Sequence, residues 1–181
     1  MLLKGLVARS LARALLVSIA VAGNPLSAAP AADAAHSTVC ALGETAIVVD
    51  TTGHRLHLCR DGARAQTFAV ALGLNGVDKR RRGDNRTPLG VYGLGTPRAS
   101  QWFHRFIPVE YPTPAQQRAG YSGSAIGIHG PPRGFEAATR LAALVVTDWT
   151  AGCIAVASDD DIERIVGWVN AHRVRAVRLV R

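Results

Sequence analysis

No Cys-x-x-Cys pair occurs in the chain, which argues against a thiol oxidoreductase. The histidines and carboxylates are scattered, with no spacing suited to zinc, so no metal site is expected. The glycine-rich stretch at 73–76 lacks a phosphate-binding signature, and no nucleotide or other cofactor is expected. Internal repeats are absent. Apolar runs of membrane-spanning length are absent too, the longest being Ala14 to Ala22, interrupted by Ser18.

That run follows Lys4, Arg9 and Arg13, and precedes Gly23, Asn24, Pro25 and a small-residue tract from Ser27 to Ala35. The pattern predicts a secretory signal peptide over 1–35, cut between Ala31 and Ala35 because Pro30 disfavours cleavage directly before it. An uncleaved anchor is the rival reading. After cleavage the protein would be exported to the periplasm or cell envelope, without stable membrane insertion. Removing Lys4, Arg9, Arg13 and Asp33 lowers the formal charge from +8 to +6, with 18 basic residues against 12 acidic. A basic exported domain points to an anionic envelope polymer as partner rather than nucleic acid. Oligomeric state is not legible.

The 181 residues have room for one ordinary domain, placed at 44–181 after a lead-in at 36–43. Thr45–Asp50 and Arg55–Arg60 read as strands joined by Thr51-Thr52-Gly53-His54. Ala65–Leu72 reads as a third strand after the Asp61-Gly62 turn. Gly73 to Thr87 is a basic, polar loop. Val91–Leu94 resumes as a strand, and 97–123 reads as a long irregular excursion. Ser124–His129 reads as a buried strand and Phe135–Leu144 as a short helix. Ser158 caps a second helix, with Ile162, Ile165, Val166 and Val169 on one face; Val174–Val180 is a terminal strand. The fold class is therefore mainly β with one or two helices.

Three cysteines, an odd number in an oxidising compartment, suggest one bridge and one free thiol. Cys40 and Cys59 make a plausible pair, which would leave Cys153 free; the other pairings stay open. Cys153 follows Gly152 in Thr150-Ala151-Gly152-Cys153-Ile154-Ala155-Val156, and His129 ends an apolar run before Gly130. A thiol assisted by an imidazole and backbone amides is the skeleton of a cysteine acyl-transfer site, with Cys153 as nucleophile and His129 as base. Amides around Gly152 and Cys153 would hold the oxyanion, and Thr150 would orient His129 or the loop. A carbonyl near Gly130 would be a third orienting partner. The bland reading of Cys153 is a buried apolar cysteine. His54, His57, His104 and His172 read as structural.

Three blocks together resemble the L,D-transpeptidase (YkuD-type) catalytic domain over roughly 44–180. They are Ile47-Val48-Val49-Asp50 with Arg55-Leu56-His57-Leu58; Gly83-Asp84-Asn85-Arg86-Thr87-Pro88-Leu89-Gly90; and Ile128-His129-Gly130 with Thr150-Ala151-Gly152-Cys153-Ile154. The resemblance implies a β-sandwich or mixed sheet, and thioester formation on Cys153 from peptidoglycan stem peptides. An amine acceptor would then give a cross-link or attach a protein to the wall, whereas water would give hydrolysis. The chain departs from the family pattern at Ala151, where histidine is usual, and at Ala155, where Arg or Asn is usual. Asp148-Trp149-Thr150 before Gly152-Cys153-Ile154-Ala155 is similar to a proteobacterial branch with members thought to cut wall linkages. That leaves open an L,D-carboxypeptidase, endopeptidase or amidase releasing a wall-linked protein, and an inactive wall-binding module. Arg133, Arg86 and the Lys79-Arg80-Arg81-Arg82 run are candidate carboxylate ligands. Trp149, Tyr121 and Gly130 are candidates to line the cleft, and the plainer reading of the basic run is a solvated loop.

Overall fold

The computed structural model describes residues 39–134 and 147–181. The expected signal peptide, the first part of the lead-in and the expected helix at Phe135–Leu144 lie outside the described residues. Among the described residues nine strands form one mixed sheet: β1 (Ala46–Asp50), β2 (Arg55–Arg60), β3 (Ala63–Ala71), β4 (Gly90–Gly93), β5 (Arg98–Ser100), β6 (His104–Pro108), β7 (Gly127–His129), β8 (Ile154–Val156) and β9 (Ala176–Val180). Their spatial order is β4-β9-β1-β2-β3-β8-β7-β6-β5. Two helices complete the described fold, α1 (Pro114–Arg118) and α2 (Asp159–His172).

Strands β1 to β3 follow from local chemistry. In the turn, Asp50 Oδ1 accepts the Thr52 and Gly53 amides at 3.0 and 2.8 Å, and His54 takes a left-handed φ of 51°. The hairpin then runs in antiparallel register from Asp50 opposite Arg55 to Ala46 opposite Cys59. β1 is a near-continuous apolar run because it is covered on both faces. Ile47 and Val49 enter the main core, while Val48 packs with Cys40, Cys59, Val39 and Val180. Cys40 and Cys59 are joined by a disulfide with a Cα–Cα distance of 5.6 Å. Arg178 on β9 reinforces this back face, donating to Glu44 Oε1 and Oε2 at 3.0 and 2.8 Å and to the Val39 carbonyl at 2.6 Å.

Strand β3 is the corner of the sheet. Its first part pairs with β2, whereas Val70 and Ala71 pair with β8. Burial changes at the same place, from exposed residues at the start to Phe68, Val70 and Ala71 in the core. β7 and β8 are parallel neighbours, with Ile128 opposite Ile154 and His129 opposite Ala155. Helix α2 packs on β6 and β8, burying Ile162, Ile165, Val166, Trp168 and Val169. Ser158 Oγ caps it by accepting the Asp161 amide at 3.1 Å, and Asp159, Asp160 and Asp161 face the positive end of its dipole.

The segment 97–123 departs from the expected irregular excursion. It holds the β5–β6 hairpin and α1, opened by a capping box in which Thr113 and Gln116 satisfy each other's backbone amides. Strands of three and five residues are too short to display a periodicity. The strand expected at Ser124–His129 begins only at Gly127, because Ala125 adopts a left-handed φ of 59°. Gly127 itself is obligatory: a Cβ there would run into the Phe106 ring on β6.

Candidate active site

The cysteine loop between Thr150 and Ile154 rests on the basic loop that precedes β4. Thr150 bridges to Gly73, its amide donating to the Leu72 carbonyl at 3.0 Å and its carbonyl accepting from Leu74 at 2.9 Å. Thr87, fully buried, accepts the Gly73 amide on Oγ1 at 2.8 Å. Gly152, at φ 123°, lies so close to the Arg86 carbonyl that a Cβ would overlap it. The Gly-Asp…Thr-Pro block is thus the platform on which the cysteine loop is built.

The Thr150 hydroxyl shapes the loop from within. It donates to the Cys153 carbonyl at 2.7 Å and accepts the Gly152 amide at 3.0 Å. These bonds orient the loop, not the imidazole. They also correct the expected role of Gly152: its N–H is committed to Thr150, so it is not a free oxyanion donor. What Gly152 contributes is its backbone conformation and its close approach to Arg86.

Strand alternation places Cys153, one residue before β8, on the face that carries His129 on β7. The imidazole is 1% exposed, and its Nδ1 donates to the Gly130 carbonyl at 2.7 Å. That bond holds the tautomer with an unprotonated Nε2. Phe103 stacks on the ring at 3.8 Å between centroids, Phe106 lies 6.2 Å away, and the Trp149 ring meets it edge-on at 5.9 Å. Burial pushes the imidazole down to about 4, only partly opposed by the Gly130 bond. At neutral pH it is an uncharged base.

Cys153 is the free cysteine, and its Sγ donates to the Ala125 carbonyl at 3.4 Å. Burial pushes the thiol up, while the Gly127 amide and the positive charge of Lys79 pull in the opposite direction. The resting pair is therefore thiol and neutral imidazole rather than an ion pair. The thiol opens on a groove of about 540 Å³ whose walls include Arg98, Ser100, Trp102, Phe103, Phe106 and Ala125. Trp102 is 68% exposed at its rim.

The other expected ligands are distributed around this centre. Arg133 braces the β5–β6 turn, its amide donating to the Trp102 carbonyl at 2.8 Å and its Nε to Ser100 O at 3.3 Å. The Arg86 guanidinium is turned to the Val77 carbonyl at 3.0 Å, within its own loop. Tyr121 packs on the core beneath the Arg80 guanidinium, and neither it nor Trp149 is among the described walls of the groove. Gly130 lies against Asp159 and Ile162 of α2. Arg80, Arg81 and Arg82 are exposed, as a solvated loop would be, but Lys79 is buried and paired with Asp84 at 2.6 Å. Ala151 is exposed and Ala155 buried, so neither position supplies a polar side chain to the site.

Phe103 was not singled out by sequence, because nothing local links it to a histidine 26 positions away. Asp148, one residue before Trp149, is a structural tie that no local sequence signal reveals. It accepts the Leu72 amide on Oδ1 at 2.7 Å, and both its oxygens lie 3.1 Å from His54 Nε2, tying the β1–β2 turn to the cysteine loop. Among the described residues no cluster of histidine, cysteine or carboxylate side chains could hold a metal ion, and no helix is long and apolar enough to cross a membrane.

Comparison with known proteins gives a family match and a structural one. The model of the YkuD L,D-transpeptidase catalytic domain matches residues 44–177. The helical cell shape determining protein Pgp2 from Campylobacter jejuni is similar in structure, with a TM-score of 0.58 and 22% identity over 74% of this chain and 46% of that one. Bd1075 from Bdellovibrio bacteriovorus follows with a TM-score of 0.52 and 20% identity, over 77% of this chain and 49% of that one. The chain thus spans about half the length of these two structures. Curated protein sequences give no match.

Proposed function

Since the chain belongs to the YkuD L,D-transpeptidase catalytic domain family, we propose that it is an exported cysteine acyltransferase of the cell envelope acting on peptidoglycan stem peptides. The observation that carries the reading is the pairing of a half-buried free thiol and a dry, tautomer-held imidazole on one face of adjacent strands, beside an open groove.

Each residue then has a step. Cys153 Sγ attacks the carbonyl carbon of the third stem residue while its proton passes to His129 Nε2. The oxyanion is met by the Cys153 amide, the neighbour of the one Thr150 occupies; such a donor contributes about 3–4 kcal/mol. Collapse breaks the carbon–nitrogen bond, and the imidazolium returns its proton to the departing amine, leaving a thioester. An incoming amine or water loses a proton to His129, attacks the thioester and regenerates the thiol. An amine gives a cross-link or a wall-attached protein; water gives hydrolysis. The disulfide supports export, because such bridges persist in oxidising compartments.

Incubation of purified muropeptides with the protein, followed by mass spectrometry of products and of the intact enzyme, tests this. Tetrapeptide stems should lose their last residue, and a carbapenem should leave a covalent adduct on Cys153. Both outcomes should vanish in Cys153→Ala, with a rate loss of about 10⁴-fold or more. Wall binding with neither product nor adduct would instead identify a binding module.

A further inference from the structure

A second, smaller pocket of about 260 Å³ touches the cysteine loop at Ala151. The aromatic groove is lined by Ala125 and Cys153, and the pocket by Ser124, next to Ala125, and Ala151, two residues before Cys153. Its remaining lining is polar and basic, including Lys79, Arg82 and Asn85. Among the described residues, the side chains of Arg82, Asn85 and Ser124 make no hydrogen bond. Lys79 is different: its side chain is 3% exposed, with Nζ donating to Asp84 Oδ1 at 2.6 Å and to the Arg81 carbonyl at 3.2 Å. An ammonium has three protons, so one remains for a ligand.

Asp84 is ionised and balances the Lys79 ammonium, so the net charge of this pocket is that of Arg82. Asp84 Oδ2 accepts the Arg80 and Arg81 amides at 2.8 Å each, and its Oδ1 takes the Arg86 amide at 3.2 Å as well as Lys79. Burial opposes its ionisation, but the four donors outweigh it and hold the carboxyl well below its usual range. Arg82 therefore adds a net positive charge next to the loop.

Resting on the acyl-transfer reading above, we propose that this pocket receives the C-terminal carboxylate of the residue expelled when Cys153 is acylated. Donor peptides would run from the aromatic groove, over Cys153, into the pocket. One residue advances the backbone by about 3.5 Å, so a single-residue leaving group ends close to the attacked carbonyl. A positive pocket beside Ala151 is correctly placed for that terminus. Lys79 and Ala151 line the same pocket, which brings the buried ammonium beside the cysteine loop. Such an enzyme acts at peptide ends: a stem extended or capped beyond the leaving residue loses its anchor.

Three synthetic stem tetrapeptides test the assignment: one with a free C-terminal carboxylate, one with a C-terminal carboxamide, and one amidated only at the side-chain carboxylate of the third residue. The first should exceed the second in kcat/KM by about tenfold to a hundredfold, the range of a charge-assisted contact, and the third should match the first. Arg82→Ala should remove that preference by lowering the free acid alone. Calorimetric binding of the same peptides to Cys153→Ala should give the same ranking without turnover. Equal handling of acid and C-terminal carboxamide, sensitivity only to the side-chain amide, or an equal loss on all peptides in Arg82→Ala would overturn the subsite. Failure of every peptide to acylate Cys153 would sink the acyl-transfer reading instead, while the binding ranking would still decide the pocket.

Discussion

The strands on either side of the β3 corner are built on different principles. On one side, β1, β2 and β3 follow one another through short turns, cover a β-branched core and are stapled by Cys40–Cys59. On the other, β7 and β8 are three residues each and come from segments about 25 positions apart; β7 carries the buried His129, and the loop entering β8 carries the buried Thr150. The first side gains stability from local pairing and apolar burial. The second accepts left-handed residues, a glycine pressed on a carbonyl and desolvated ionisable groups, features expected where a fold serves chemistry rather than stability.

Substitution of His129 should separate the two sides most strongly. His129→Gln should lower acyl transfer by about 10²- to 10⁴-fold, as loss of a general base does. The pH profile adds a sign. The imidazole sits at about 4 against an ordinary 6.5, so the wild-type rate should hold down to about pH 4. Between those values the unfolded chain binds the extra proton, so stability should fall as the pH drops from 6.5 toward 4. The loss is about 3 kcal/mol and absent from His129→Gln, as read by chemical denaturation across that range. An acid limb near 6.5 would show an imidazole wetter than its stacking with Phe103 implies.

The hairpin side should respond in the opposite way. Cys40→Ser with Cys59→Ser opens a loop of 19 residues and should cost about 3 kcal/mol in a denaturant titration. The rate of the folded enzyme should change by less than twofold. A large rate loss would mean that the staple also shapes the cysteine loop, and the contrast between the two sides would fail.

The smallest effect belongs to α2, which packs against the catalytic strands. Ser158→Ala removes the acceptor of the Asp161 amide and should cost about 1 kcal/mol, with carbapenem acylation of Cys153 unchanged.

Legibility followed the range of the contacts. The hairpin register, the Ser158 cap and the Ile162–Val169 face are written within a few residues, and a reader of the chain finds them. The Gly-Asp…Thr-Pro block was visible as a motif, but its work as a platform under Gly152 was not. The β5–β6 hairpin escaped because its strands are too short for a period, and α1 was missed with it although its Thr113–Gln116 capping box is local.

What the sequence determined by itself was the mainly β class, the location of α2, and the thiol and imidazole around which a site could form, since these depend on side-chain periodicity, capping and residue chemistry. Only the tertiary structure decided that the Gly152 amide is spent on Thr150, that Phe103 dries His129, and that Lys79 is buried beside the cysteine loop. Each of those depends on side chains or backbone brought together by folding, or on which hydrogen-bond donors remain once the loops have satisfied their own acceptors.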